Sequence, residues 1–144
     1  MSQSSRSKPR ADRSAPASAA ASGAGPGVTA VAAWCVPGAG HLLHRQTQKA
    51  AVFAVILTAM FLIGLGFGGR LFPFQVADPL VFLAAAAEWA ILVPRAVAAL
   101  VGAGRGDVVA VTYEYGNTFL IASGLLNVLV TLDAVDLASG RKRR

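Results

Sequence analysis

Twenty consecutive residues, Ala50–Gly69, carry no charge. Wound as an α-helix at about 1.5 Å per residue, they reach roughly 30 Å, the thickness of a bilayer's hydrocarbon core. Such a run predicts a transmembrane helix, and it restricts the rest of the chain to partners that can share a membrane with it.

The remaining residues agree. Of 144 residues, 55% are hydrophobic and 14% charged, against about 25% charged in a typical soluble domain. The apolar residues come in blocks without a polar stripe, so no water-facing side is drawn. The pattern predicts an all-α integral membrane bundle of about four transmembrane helices over residues 28–138, set between polar tails at 1–27 and 139–144.

Approximate spans are 28–43, 50–69, 79–101 and 117–135. The first is short for a ~30 Å core, and Pro37-Gly38 interrupts it. Pro37 lacks a backbone donor and clashes with the carbonyl four residues back. A span kinked at Pro37-Gly38 is expected, with a re-entrant dip as the alternative. Pro37, Gly38, Gly40 and His41 thus form the expected structural hinge. The third span opens with Pro79, which suits a helix start, and should bend near its far end at Pro94.

Met1–Gly27 is rich in Ser, Ala, Pro and Gly and holds Arg6, Lys8, Arg10 and Arg13 without an aromatic residue. It reads as a disordered cytoplasmic tail. Its long basic region and the Pro-Gly pair argue against a cleavable secretory signal, while an organelle transit peptide is an alternative reading. With four spans, nine basic residues (Arg6, Lys8, Arg10, Arg13, Arg70 and Arg141 to Arg144) share one side, against Arg45, Lys49 and Arg105 on the other. By the positive-inside rule both termini are expected in the cytoplasm, in a bacterial inner or plasma membrane. The net charge of +6 suits anionic lipid headgroups near the tails. No nucleic-acid partner is expected, because the basic residues are neither interleaved with aromatics nor set on a helix face.

Several polar residues fall within the apolar blocks. Glu88 lies mid-segment, where a charge costs roughly 2.5–3.5 kcal/mol on an insertion scale. It reads either as a packing contact, against Asn127 for instance, or as part of an ion path. Arg95 is seven residues on, about 10.5 Å along a straight helix, so snorkelling to the interface is expected rather than a salt bridge with Glu88. Ser123, Asn127 and Thr131 recur every four residues, beside a stripe of Gly116, Leu120 and Gly124. Such faces favour close helix packing in lipid. Asp133 and Asp136 are expected to face the terminal arginines, a pairing of little energetic weight. His41 and His44, three residues apart, read as interfacial polar residues. The single Cys35 excludes an intramolecular disulfide or a cysteine-built zinc site. No Walker loop, dinucleotide fingerprint or H-E-x-x-H pattern occurs, so no catalytic residue, cofactor or metal is expected.

Two stretches resemble a known kind of protein. Val36-Pro37-Gly38-Ala39-Gly40-His41-Leu42, followed by a short basic linker and an apolar helix, resembles the P-G-x-G-H opening of small bacterial membrane proteins similar to the two-transmembrane hairpin domain. Tyr113-Glu114-Tyr115-Gly116, Ser123-Gly124-Leu125-Leu126-Asn127 and Leu132-Asp133-Ala134 resemble the closing segment of one uncharacterised family of this kind. The resemblance implies a multi-pass membrane protein of unknown function, with no catalytic residues to carry over. The chain departs from the pattern at Arg45 and Ala50, where hairpin relatives tend to have glycine.

Taken together, the residues point to a non-enzymatic assembly, scaffold or accessory subunit acting by helix–helix association, with a second copy or another membrane protein as partner. The alternative is a minimal oligomeric channel or transporter that uses Glu88 in a proton or cation path.

Overall fold

A computed structural model describes residues 24–141. Of the tail expected over 1–27, residues 1–23 lie outside them, as do the basic residues 142–144, while Pro26 and Gly27 already belong to the first helix. Every regular element among the described residues is helical: α1 (Pro26–Cys35), α2 (Ala39–Leu43), α3 (Thr47–Gly66), α4 (Pro79–Trp89), α5 (Leu92–Leu100) and α6 (Tyr113–Ala138). Two of these, α3 and α6, are long and apolar enough to cross a membrane, and α4 with α5 would make a third if counted as one span. The all-helical class and a membrane protein are what the sequence predicts. The four spans that the sequence also predicts are not matched: two helices, or three with the bent pair, are long and apolar enough.

The spine is the antiparallel pair α3 and α6. Their contact rests on glycine: a Cβ on Gly116 would stand 2.8 Å from the Gly64 carbonyl oxygen and 2.7 Å from the Gly69 nitrogen. Leu120 fills the space that Gly64 leaves open. Asn117 Oδ1 accepts the Arg70 N–H at 2.8 Å, tying the start of α6 to the end of α3. At the other end His41 touches both helices, its ring 5.0 Å from that of Phe53 and its Nε2 2.9 Å from Asp133 Oδ2.

The first segment differs from the kinked span that sequence predicts. Pro26 sits at the first position of α1, where its missing N–H costs nothing. Val36, placed before Pro37, is extended at φ −128° and ends the helix. Gly38 then takes φ 80° against the backbone of Ala50, where any Cβ would strike the Ala50 carbonyl. The chain turns back rather than going on. Gly40 of α2 packs so closely that an added Cβ would lie 2.8 Å from Ala33 and 2.7 Å from Ala134. Thr29 Oγ1 and His44 Nε2 meet at 3.0 Å, so the segment leaves at the end where it entered. The link into α3 uses Arg45 at φ 59°, a left-handed turn made without the glycine of the hairpin pattern.

The third segment, expected as one span over 79–101, is broken by 103° between α4 and α5. The break falls at Ala90-Ile91, one turn before Pro94, because Ala90 is the residue whose carbonyl Pro94 displaces. Asp78 caps α4, Oδ1 accepting from the Leu80 and Val81 N–H groups at 3.0 and 3.3 Å. Since α3 ends and α6 begins at the same end of the bundle, the connection between them must start and finish there. Leu71 N–H accordingly donates to the Gly104 carbonyl at 2.8 Å, closing the base of this second excursion.

Candidate functional site

The two proline breaks meet at one side chain. Pro37 deprives the Ala33 carbonyl of its helical partner and Pro94 does the same to Ala90, in each case four residues back. Asn127, wholly buried on α6, donates its side-chain amide to both: 3.0 Å to Ala33 O and 2.7 Å to Ala90 O. Two N–H groups satisfy two orphaned carbonyls, which matches the donor capacity of a carboxamide. Trp34 Nε1 donates across the same junction to Trp89 O at 3.1 Å. Gly124, one turn before Asn127, is bare because any Cβ would overlap the Ala87 carbonyl.

Beside the junction lies an ion pair. Arg95 Nη1 donates to Glu88 Oε2 at 2.5 Å, with the carboxylate fully buried. Sequence spacing on a straight helix excludes that contact; the break at Ala90-Ile91 folds the second half back and closes the gap. Arg95 is therefore buried, not snorkelling. The pair grips the loop that follows α3: Phe72 N–H donates to Glu88 Oε2 at 2.9 Å, and Arg95 Nη2 donates to Phe72 O at 2.8 Å. The Arg95 guanidinium also rests 5.0 Å over the Trp89 ring, which stacks on Phe74. Glu88 is bound to Arg95 and Phe72, not to Asn127.

The other expected polar residues take separate places. Ser123 Oγ donates to its own helix at Leu120 O, 2.7 Å away. His41 is buried against Asp133, and His44 is buried against Thr29. Asp133 thus turns to a histidine 92 positions away, while Asp136 faces Arg141 at 3.7 Å, an exposed contact. Both histidines, expected at the membrane interface, are packed inside the protein. Glu88 Oε1, Asn127 Oδ1 and Thr131 Oγ1 have no hydrogen-bond partner among the described residues. No group of three or more His, Cys, Asp or Glu suited to a metal occurs among the described residues.

Sequence reasoning named Asn127, Glu88, Arg95, Pro37 and Pro94 but missed how they combine. It also missed Trp34 and Phe72. A signal was available in principle: Ala33 and Ala90 each stand four residues before a proline, so each break exposes an acceptor that a buried amide can take.

In comparison with known proteins, the model of the Family of unknown function (DUF6677) matches residues 28–143. No curated protein and no solved structure matches the chain.

Proposed function

We propose, for a chain that belongs to the DUF6677 family of unknown function, a non-enzymatic role in the membrane as an assembly, scaffold or accessory subunit. In this reading α3 and α6 are the only complete spans among the described residues, while α1–α2 and α4–α5 dip into the bilayer from opposite sides. Irregular backbone at that depth is tolerated when protein covers it, and here Asn127, Trp34 and α6 cover both breaks. The Pro37-Gly38-Ala39-Gly40-His41 string is then the turn of the first dip.

Charge supports this topology. Arg45 and Lys49 move to the side of the tails, joining Arg6, Lys8, Arg10, Arg13 and Arg141 to Arg144. Arg70 crosses to join Arg105 on the opposite side, which leaves a sharper asymmetry than four spans give and favours cytoplasmic termini in a bacterial inner membrane. Single cysteines in a Cys35→Ser background test it. Gln48→Cys should be labelled from the cytoplasmic face and both Phe74→Cys and Val109→Cys from the outer face. Four spans would place residue 48 outside and residue 74 inside.

The observation that carries the function is where the polar groups go. Glu88, Arg95, Asn127, His41 and His44 are each hydrogen-bonded to another part of this chain, and Ser123 to its own helix. The side that faces outward is apolar, with Val52, Val55 and Ile56 on α3 and Leu125, Leu129 and Leu132 on α6 exposed. The stripe of Gly116 and Gly124 is used within the chain, so association with a partner falls to these outer aliphatic faces. Photocrosslinkers at Val55 and Leu129 should capture a second copy or a defined membrane protein in native membranes. Labelling of lipid alone would sink the idea. The transport alternative draws on the unpartnered Glu88 Oε1, but the hold of Arg95 and Phe72 on the other oxygen favours a packing role.

A further inference from the structure

An apolar groove of about 480 Å³ runs along the outside of the bundle between α3 and α5. Pro37 and Pro94, one from each break, line its inner end; Thr58 and Leu65 form one wall, and Val101 and Ala103 lie at its outer end. That outer end is marked by two arginines. Arg70 and Arg105 are joined by an antiparallel backbone bridge. A Cβ on Gly102 would stand 3.3 Å from Arg105 Nη2, so the guanidinium lies beside the residue between Val101 and Ala103. The Arg70 stem lies over Gly106, whose missing Cβ would fall 2.8 Å from Arg70 Cβ.

Like charges facing each other across a backbone pair are destabilising unless something neutralises them. Neither Arg70 nor Arg105 forms an ion pair among the described residues. The neighbouring Asp107 is turned to its own loop, Oδ1 accepting from Val109 N–H at 3.2 Å. An anion is what this pair lacks, and an apolar channel leads away from it.

We propose that this feature is a binding site for an anionic phospholipid of the surrounding membrane. Its phosphate sits between Arg70 and Arg105, which can hold it with bidentate, charge-assisted hydrogen bonds. One acyl chain follows the groove to the proline breaks. The site rests on the membrane reading alone and is independent of any scaffold role, so loss of crosslinked partners would leave it standing.

The test is native mass spectrometry of the delipidated full chain with phosphatidylglycerol or phosphatidylcholine of identical acyl chains. Phosphatidylglycerol should bind preferentially, and Arg70→Gln and Arg105→Gln should each reduce its affinity by about fivefold. Val97→Trp, which narrows the groove from its exposed lip, should weaken both lipids. Arg45→Gln with Lys49→Gln, at the opposite end of the bundle, should leave the preference unchanged. Equal binding of the two lipids overturns the proposal, as does an equal loss in the Arg45/Lys49 variant, which marks general surface charge. Displacement of the lipid by inorganic phosphate at matched concentration also overturns it, since the groove would then contribute nothing. Because both arginines are exposed, the variants should retain the helical circular dichroism of the parent. If a glutamine variant loses it, Arg70→Lys and Arg105→Lys replace it, with a smaller reduction expected and no change overturning the site.

Discussion

Arg95→Met should destabilise the protein by about 3–5 kcal/mol, because it leaves the Glu88 carboxylate buried without its counter-charge. The substitution removes the 2.5 Å contact to Glu88 and the 2.8 Å contact to the Phe72 carbonyl together. Methionine keeps most of the volume against Trp89, so the loss reports on charge and hydrogen bonding more than on packing. The measurement is reversible denaturant unfolding of the purified protein in detergent, followed by circular dichroism. A buried pair is often near neutral against an apolar replacement, because two desolvation costs offset the attraction. The double variant Glu88→Met with Arg95→Met should therefore recover a large part of the loss. If both single and double variants unfold alike, the pair is not acting as a unit, and the Phe72 contacts account for the effect.

Asn127→Leu should cost about 2–3 kcal/mol. Leaving a buried carbonyl unpartnered costs about 1–3 kcal/mol, and this change strands two, at Ala33 and Ala90. Side-chain hydrogen bonds within membranes average only about 0.6 kcal/mol, since the unfolded chain finds other partners in the bilayer. The larger figure applies here because proline has removed the helical alternative at both acceptors. Asn127→Asp is the sharper comparison: it keeps size and polarity but has no N–H to donate when ionised. Thermal unfolding of the three forms in one detergent decides the matter. A shift in Asn127→Leu no greater than that of an exposed control such as Leu129→Ala would show that the amide is dispensable.

Both effects stem from one physical theme. In the proposed topology both breaks lie in the bilayer, which offers no water to a broken helix, so each has to find its donors inside the protein. Asn127 meets that demand for two breaks at once, and the Glu88–Arg95 pair fastens the nearby loop. Helix α6 is consequently the element on which four others are assembled: α3 through Gly116, α4 through Gly124, α1 through Asn127 and α2 through Ala134.

How much of this was legible beforehand differs by residue. The uncharged run at Ala50–Gly69 announces α3, although the helix itself begins at Thr47 and ends at Gly66. Pro79 marks a helix start, and Pro37 and Pro94 mark two breaks, whereas Pro26, which opens α1, reads from sequence as part of the tail. The recurrence of Ser123, Asn127 and Thr131 picks out the inner face of α6, where all three are buried. The Arg95–Glu88 contact was not legible, because a seven-residue spacing measures distance only along an unbroken axis. Nor was His41 with Asp133, which are brought together by two separate turns of the chain.

From the sequence alone follow the helical class, the apolar lengths and the places where helices must stop. These depend on local chemistry: charge per segment, a missing N–H, a ring against a carbonyl four residues back. Only the tertiary structure decided that each stop is a return and not a kink. A proline dictates that a helix ends but leaves the next direction open. That direction is chosen by whatever satisfies the freed carbonyl and by where glycine lets two backbones touch, and here both conditions are met on the buried face of α6.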